Sequence, residues 1–273
     1  MRVGWVSDVH LNFLDPRGGR RFLRELADAS ADVWLLGGDI GEARSVVRFL
    51  HDFDATLPGR TYFVLGNHDF YGGGFSKVRK EVRALVAESK QLVWLTGSGL
   101  QKLSGAVALV GDDSWADARL GNPLFTPVEL TDFFAIEDLY GLTRRELVWK
   151  LRETGDGAAS RLKPKLEEAA AMCTRVLVLT HVPPFREAAW HEGRLCNDDW
   201  VPWFSCSAVG EVLLACAQAH PRVSFLVLCG HTHSSGVCSP APNLSVWTAH
   251  ADYGVPEIQR ILDLRADSTS QAW

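Results

Sequence analysis

The chain predicts an α/β fold with a parallel sheet, and three observations carry the prediction. Short apolar runs rich in β-branched and aromatic residues recur at 2–6, 33–36 and 61–65, the pattern of strands covered on both faces. Stretches with helical spacing separate them, at 20–30 and 42–53, and alternating strands and helices imply right-handed crossovers that return each strand parallel to the last. Each run ends in turn-forming residues that carry a carboxylate, an amide or an imidazole. Such crossovers place these strand ends on one edge of one sheet.

The elements follow in order. Arg2-Val3-Gly4-Trp5-Val6 leads into Ser7-Asp8-Val9-His10, and Asn12 and Asp15-Pro16 mark a loop. Asp8 and His10 are two apart, so extended backbone would point both to the same side. Phe22, Leu23, Leu26 and Ala27 share a helical face, and Val33-Trp34-Leu35-Leu36 then ends in Gly37-Gly38-Asp39. The third run, Thr61-Tyr62-Phe63-Val64-Leu65, opens onto Gly66-Asn67-His68-Asp69. Val78, Val82, Leu85 and Val86 predict an amphipathic helix over 76–89, ahead of strands at 92–95 and 106–110. The latter leads to the turn Gly111-Asp112-Asp113-Ser114-Trp115.

From about 118 to 171 the periodicity weakens under Pro123, Pro127, Gly141, Gly155, Gly157 and Pro164, which predicts an inserted, partly helical segment. Its helical candidates are 143–153 and 158–172, the second containing Pro164, which disfavours a helix interior. Strand character returns at 175–179, before Thr180-His181-Val182-Pro183-Pro184, and at 223–229, before Gly230-His231-Thr232-His233. Between them, 208–219 reads as a helix. The tail offers strands at 244–248 and 257–264, each with an exposed or edge side.

A chain of 273 residues, 47% hydrophobic and 22% charged, can bury a substantial core. One elaborated domain over 1–273 is the expectation. A net charge of -5 gives no basic field for long nucleic acid. No apolar window approaches the ~18 residues of a membrane span. Met1 is followed by a strand-like run with none of the cationic start and apolar core of a signal peptide. Cys173, Cys196, Cys206, Cys216, Cys229 and Cys238 show no Cys-x-x-Cys spacing. Free thiols in a cytoplasmic protein are therefore expected.

The strand ends collect Asp8, His10, Asp39, Asn67, His181, His231 and His233, with His68 and Asp69 beside them. Any one such His is more often a hydrogen-bonded core residue than a ligand, but a whole set at strand termini is not explained that way. Carboxylates, imidazoles and an amide oxygen without thiolates suit Mn, Fe, Co, Ni or Zn in a catalytic site. The set exceeds one open-coordinated ion and matches two divalent ions if a carboxylate bridges them. Two ions about 3.5–4 Å apart clamp the attacking and leaving oxygens of a phosphoryl displacement.

Asp8-Val9-His10, Gly38-Asp39, Gly66-Asn67-His68-Asp69, His181 and Gly230-His231-Thr232-His233, in this order, resemble the motifs of the calcineurin-like metallophosphoesterase superfamily. The resemblance implies a four-layer αββα sandwich and a dinuclear metal centre that hydrolyses a phosphomonoester or phosphodiester of a small molecule, with a metal-bridged hydroxide as nucleophile. It implies that Asp8, His10 and His233 hold one ion, that Asp39 bridges, and that Asn67, His181 and His231 complete the other. His68 resembles the catalytic histidine, oriented by Asp69. Gly38-Asp39-Ile40-Gly41-Glu42 lacks the Asp-Arg-Gly extension of the protein serine/threonine phosphatases, and Asp69 stands where they carry Glu. The acidic balance is a poor match for the DNA-repair nuclease branch. A rival reading, a non-catalytic scaffold that keeps the fold, would be expected to have lost ligands or the catalytic His, and neither is missing here.

The loop after His181 brings Trp190, Arg194, Trp200 and Trp203 beside the strand ends, and Asp113 and Trp115 are expected to form the facing wall of a substrate pocket. Stacking on these rings would permit a nucleotide-like substrate.

Overall fold

The computed structural model describes residues 1–264. In its first third, β1 (Arg2–Val6), β2 (Val33–Leu36), β3 (Thr61–Phe63) and β4 (Leu92–Trp94) pair in parallel. Helices α1 (Pro16–Asp28), α2 (Val46–Thr56) and α3 (Phe75–Glu88) connect them. Asp15 caps α1, its carboxylate accepting the Gly18 N–H at 2.6 Å with Pro16 at the first helical position.

The rest builds a second sheet. β5 (Gln101–Lys102) and β6 (Val107–Asp112) precede α4 (Asp132–Ala135) and α5 (Arg144–Met172), and β7 (Arg175–Thr180) then pairs parallel with β6. A small hairpin, β8 (Trp190–His191) and β9 (Arg194–Leu195), is followed by α6 (Val201–Phe204) and α7 (Ser207–Ala219). β10 (Ser224–Cys229), β11 (Gly236–Ala241) and β12 (Leu244–Thr248) complete the sheet, and β13 (Arg260–Asp263) returns antiparallel to β1. The strand orders are β13-β1-β2-β3-β4 and β11-β12-β10-β7-β6-β5.

Side-chain alternation along the strands sorts the core into layers. Val3, Trp5, Val33, Leu35 and Tyr62 face Leu109, Leu177, Leu179, Leu226 and Leu228 across the gap between the sheets. The opposite faces of the same strands bury Val6, Trp34, Leu36 and Phe63 under α1, α2 and α3. On the other flank, Val176, Val178, Phe225 and Val227 pack beneath α5 and α7. Helix, sheet, sheet, helix is the result. Gly4 is required by this packing, since a Cβ there would lie 2.4 Å from the Trp34 ring.

Two expectations need correction. The two helical candidates are one helix, α5, which runs unbroken through Pro164. Proline inside a helix costs about 3 kcal/mol, but Leu162 and Leu166 beside it are fully buried, and burying each contributes about 1.5–3 kcal/mol. The flanking cations add tethers: Arg161 grips Asp112 with two bonds of 2.8 and 2.9 Å, and the Lys165 ammonium donates to the Leu95, Thr96 and Gly111 carbonyls at 2.6, 3.2 and 3.0 Å. Secondly, α5 is the crossover between β6 and β7 and not part of an insertion; only the irregular stretch ahead of it is additional. As expected, β12 has one half-exposed side, and it lies between β10 and β11. It is β11, unrecognised because Ser239 and Pro240 disguise it, that holds the edge, where proline is tolerated.

Candidate metal centre

The candidate ligands stand where β1, β2, β3, β7 and β10 stop. They come from two sheets that meet, and not from one sheet edge. The backbone there is not extended either. Asp8, His10, Asp39, His231 and His233 have φ of 52, 40, 52, 70 and 59°, so the side chains are aimed by left-handed turns and not by strand alternation. Each such residue costs about 1–3 kcal/mol unless its surroundings hold it. Here cross-loop bonds do so: Asp8 N–H to the Gly38 carbonyl at 3.1 Å, His10 N–H to that of Asp39 at 2.9 Å, and His231 N–H to the Asp8 carboxylate at 2.9 Å. Gly66 packs against Asp39 so closely that a Cβ would lie 2.1 Å from the carboxylate.

The turns gather the donor atoms into two groups. In the first, one ligand atom from each of Asp8, His10, Asp39 and His233 lies within 4.8 Å of all the others. His10 Nε2 is 3.1 Å from His233 Nε2 and 3.7 Å from Asp39 Oδ2. In the second, Asn67 Oδ1 is 3.0 Å from His181 Nε2 and 2.9 Å from His231 Nδ1. Asp39 serves both, because its Oδ1 is 3.5 Å from His181 Nε2.

The second group tests whether these residues fit a cation. The other nitrogens of both rings face carbonyls, His181 Nδ1 that of Gly37 at 2.8 Å and His231 Nε2 that of Trp203 at 2.9 Å, so those nitrogens carry the protons. The Asn67 amide nitrogen donates to Asp132 at 2.8 Å, which turns its oxygen inward. Three lone-pair acceptors therefore converge with no proton among them. Such an arrangement fits a cation and nothing else that the side chains supply.

Electrostatics agree. Burial, then the neighbouring His233 and His181, pushes His10 down to about 2; burial, then His181, pushes His231 down to about 3. Burial likewise lowers His233. The rings are neutral and ready to ligate near pH 7. Asp39 is pushed well above the usual carboxylate range by burial and by the Asp8 and Asp69 charges, an excess of negative charge that divalent ions would neutralise.

His68 lies at the rim, its ring stacked 4.2 Å from that of Tyr71 and its Nε2 3.9 Å from Asp39 Oδ2. Burial, with His10 and His181, holds it down to about 2. Asp69 does not orient this ring, contrary to expectation. Its carboxylate accepts the N–H groups of Ile40, Gly41 and Gly66 at 2.9, 2.8 and 2.9 Å, stapling the Asp39 loop to the Asn67 loop, and burial raises it to about 7 against those bonds. It positions the ligands.

A cavity of about 250 Å³ opens above the two groups, with Tyr71, Asp132, His191, Phe204 and Tyr253 among its walls. The expected facing wall is not part of it. Asp113 is fully buried and accepts Leu65 N–H, Trp94 Nε1–H and the Thr96 hydroxyl at 2.9, 2.8 and 2.7 Å, bracing the end of β3. Trp115 is buried against Phe70 and Phe75. Of the loop after His181, Trp203 is core, packed on Phe133 under the Arg144 guanidinium. Arg194 is exposed and paired with Glu192 at 3.4 Å, and Trp190 packs over Gly236. Trp200 backs the cavity, stacked on Phe204 at 5.3 Å and tilted against His191 at 4.5 Å. The loop thus reaches the cavity through His191 and Phe204. Tyr71, Asp132 and Tyr253 were missed: the first is an unremarked aromatic after Asp69, and the others sit in turn-rich stretches without periodicity.

The calcineurin-like phosphoesterase profile matches residues 1–235. The chain belongs to this family. It is accordingly a phosphoester hydrolase, and the matched span contains every member of both donor groups and His68, whereas Tyr253 lies beyond it. No curated protein matches the sequence. Solved structures share the fold of this phosphoesterase at low identity. Phosphopantetheinyl hydrolase from Mycobacterium tuberculosis is similar at a TM-score of 0.67 and 13% identity, covering 91% of this chain and 89% of that one. A dimetal phosphatase from Danio rerio gives 0.55 and 15%, covering 92% and 87%. The protein TT1561 of Thermus thermophilus gives 0.54 and 18%, covering 91% and 88%.

Proposed function

We propose that this phosphoesterase is a one-domain enzyme that hydrolyses a small-molecule phosphomonoester or phosphodiester at a two-ion centre held by Asp8, His10, Asp39 and His233 on one side and Asp39, Asn67, His181 and His231 on the other. The observation that carries the reading is the proton-free convergence of Asn67 Oδ1, His181 Nε2 and His231 Nδ1. Bound Mn, Fe, Co, Ni or Zn would supply Lewis-acid polarisation of the phosphoryl group and activation of water.

The protein's own residues then act on the ester. His68, neutral near pH 7, offers an N–H to a phosphate or leaving oxygen, and Tyr71 holds its ring in place by stacking. A neutral imidazole acts here as a hydrogen-bond donor and not as a protonated acid. A cavity of about 250 Å³ suits a small substrate. Among the described residues no helix is long and apolar enough to cross a membrane. Six thiols without a disulfide support a cytoplasmic location.

Hydrolysis of chromogenic phosphomonoesters and phosphodiesters, after chelation and resupply of each metal in turn, tests the reading. Metal-dependent turnover with two ions per chain is expected. A fully loaded protein that cleaves neither class would instead be a scaffold.

Tyr253 lines the cavity and packs on Phe13, with ring centroids 4.6 Å apart and both half exposed. Tyr253→Ala is expected to lower kcat/KM about tenfold on an aryl phosphoester, the scale of one lost stacking contact, and to leave turnover of a simple alkyl ester unchanged. Kinetics on the two substrates decide it; equal losses on both would make Tyr253 part of the metal site's support.

A further inference from the structure

The stretch between β6 and α5 grips the catalytic loop at four places. Gly72 N–H donates to the Ala135 carbonyl at 2.8 Å, and Glu137 N–H to that of Gly73 at 3.0 Å. Phe75 N–H donates to the Asp138 carboxylate at 2.7 Å. At the inner end of this zipper stands Asp132, 4% exposed and in the cavity wall. One oxygen of its carboxylate accepts both from the Asn67 amide nitrogen, at 2.8 Å, and from the Tyr71 hydroxyl. Tyr71 in turn stacks on His68 at 4.2 Å.

Two contacts choose which end of the Asn67 amide faces the cavity: its nitrogen donates weakly to the Tyr71 hydroxyl oxygen at 3.4 Å, and more closely to Asp132, which also takes the Tyr71 proton. A carboxylate can only accept, so it holds the NH2 outward and leaves the oxygen beside His181 Nε2 and His231 Nδ1. With the amide turned over, two N–H groups would point at the cation. We propose that Asp132 is a positioning residue: it fixes the Asn67 oxygen toward one of the two ions and, through the Tyr71 hydroxyl, keeps the Tyr71 ring against His68. The inference rests on the two-ion reading. It gives the irregular stretch before α5 a task, the orientation of a ligand supplied by another part of the fold.

The test is calorimetric titration of the metal-free proteins with Mn²⁺, alongside steady-state kinetics and melting curves. In wild type two ions bind. Asp132→Ala is expected to weaken one by about 10–100-fold, the usual effect of losing a group that orients a ligand, with the other within about twofold. Asp132→Asn, whose side-chain oxygen still accepts from Asn67, restores most of that affinity. Tyr71→Phe is expected to keep both affinities and lower kcat. If Asp132→Ala fails to fold, Asp132→Ser carries the same expectation, its hydroxyl being too short to reach Asn67. Unchanged affinities in the Ala or Ser variant, or equal weakening of both ions, overturn the inference while leaving the two-ion reading intact. A wild type that binds fewer than two ions overturns both.

Discussion

Asp39→Asn is expected to empty both ion positions. One carboxylate oxygen lies 3.5 Å from His181 Nε2 and the other 3.7 Å from His10 Nε2, so this side chain alone belongs to both donor groups. The substitution puts an NH2 where one lone pair was and removes a negative charge from each ion. The two effects reinforce each other, because neutral imidazoles and an amide supply most of the remaining donors. Metal content is expected to fall from two ions per chain to below one, and kcat/KM by at least about 10²–10³-fold, the scale of removing one electrostatic stabiliser of a transition state. Elemental analysis of the purified variant checks it. Two ions retained would mean that Asp39 does not bridge.

His68→Gln is expected to produce the opposite combination, full metal content and poor catalysis. His68 belongs to neither group and touches the cavity, and its loss removes a donor aimed at the substrate. A decrease of about 10²–10³-fold in kcat follows. The pH profile separates the two roles such a residue plays. A protonated acid with an ordinary histidine pKa would make wild-type activity fall as pH rises through about 6.5. Burial and the neighbouring imidazoles hold this ring down to about 2, so no such limb is expected between pH 6 and 8, and the ratio of wild type to His68→Gln stays constant over that range. A falling wild-type limb near 6.5 that disappears in the variant would restore the acid role.

The donor set was legible because each member ends a strand and the strands read as apolar runs. Asp8, Asp39, Asn67, His181 and His231 follow such runs within a few residues, so the pattern of burial predicts both the element and the place where it opens. What aims them was not legible. Asp8-Val9-His10 and His231-Thr232-His233 look the same in extended and in left-handed backbone, and the choice is made by bonds to other loops, from Asp8 and His10 to the Gly38 and Asp39 carbonyls and from His231 to the Asp8 carboxylate. Trp115 and Trp203 were misread for a related reason. An indole in an irregular loop has no period to say which way it faces, and Phe70, Phe75 and Phe133, distant in sequence, decide that both are core. Asp132 and Tyr253 give no local signal, because their importance lies entirely in what they meet. Pro164 counted against the 158–172 helix because the penalty it carries is local, whereas the burial that outweighs it comes from the tertiary packing of Leu162 and Leu166.

The meeting of two sheets at the donor groups has a consequence for cohesion. Asp8, His10, Asp39 and Asn67 follow strands of one sheet, and His181, His231 and His233 follow strands of the other. Neither set completes a coordination shell by itself. Ion binding at the proposed sites would therefore be coupled to docking of the sheets, and by mass action would stabilise the docked state by about 2.7 kcal/mol for each site at a free-ion concentration a hundredfold above its dissociation constant. The ions would act as cross-braces as well as catalysts, so that metal depletion in the cell lowers the amount of folded protein at the same time as it silences the site.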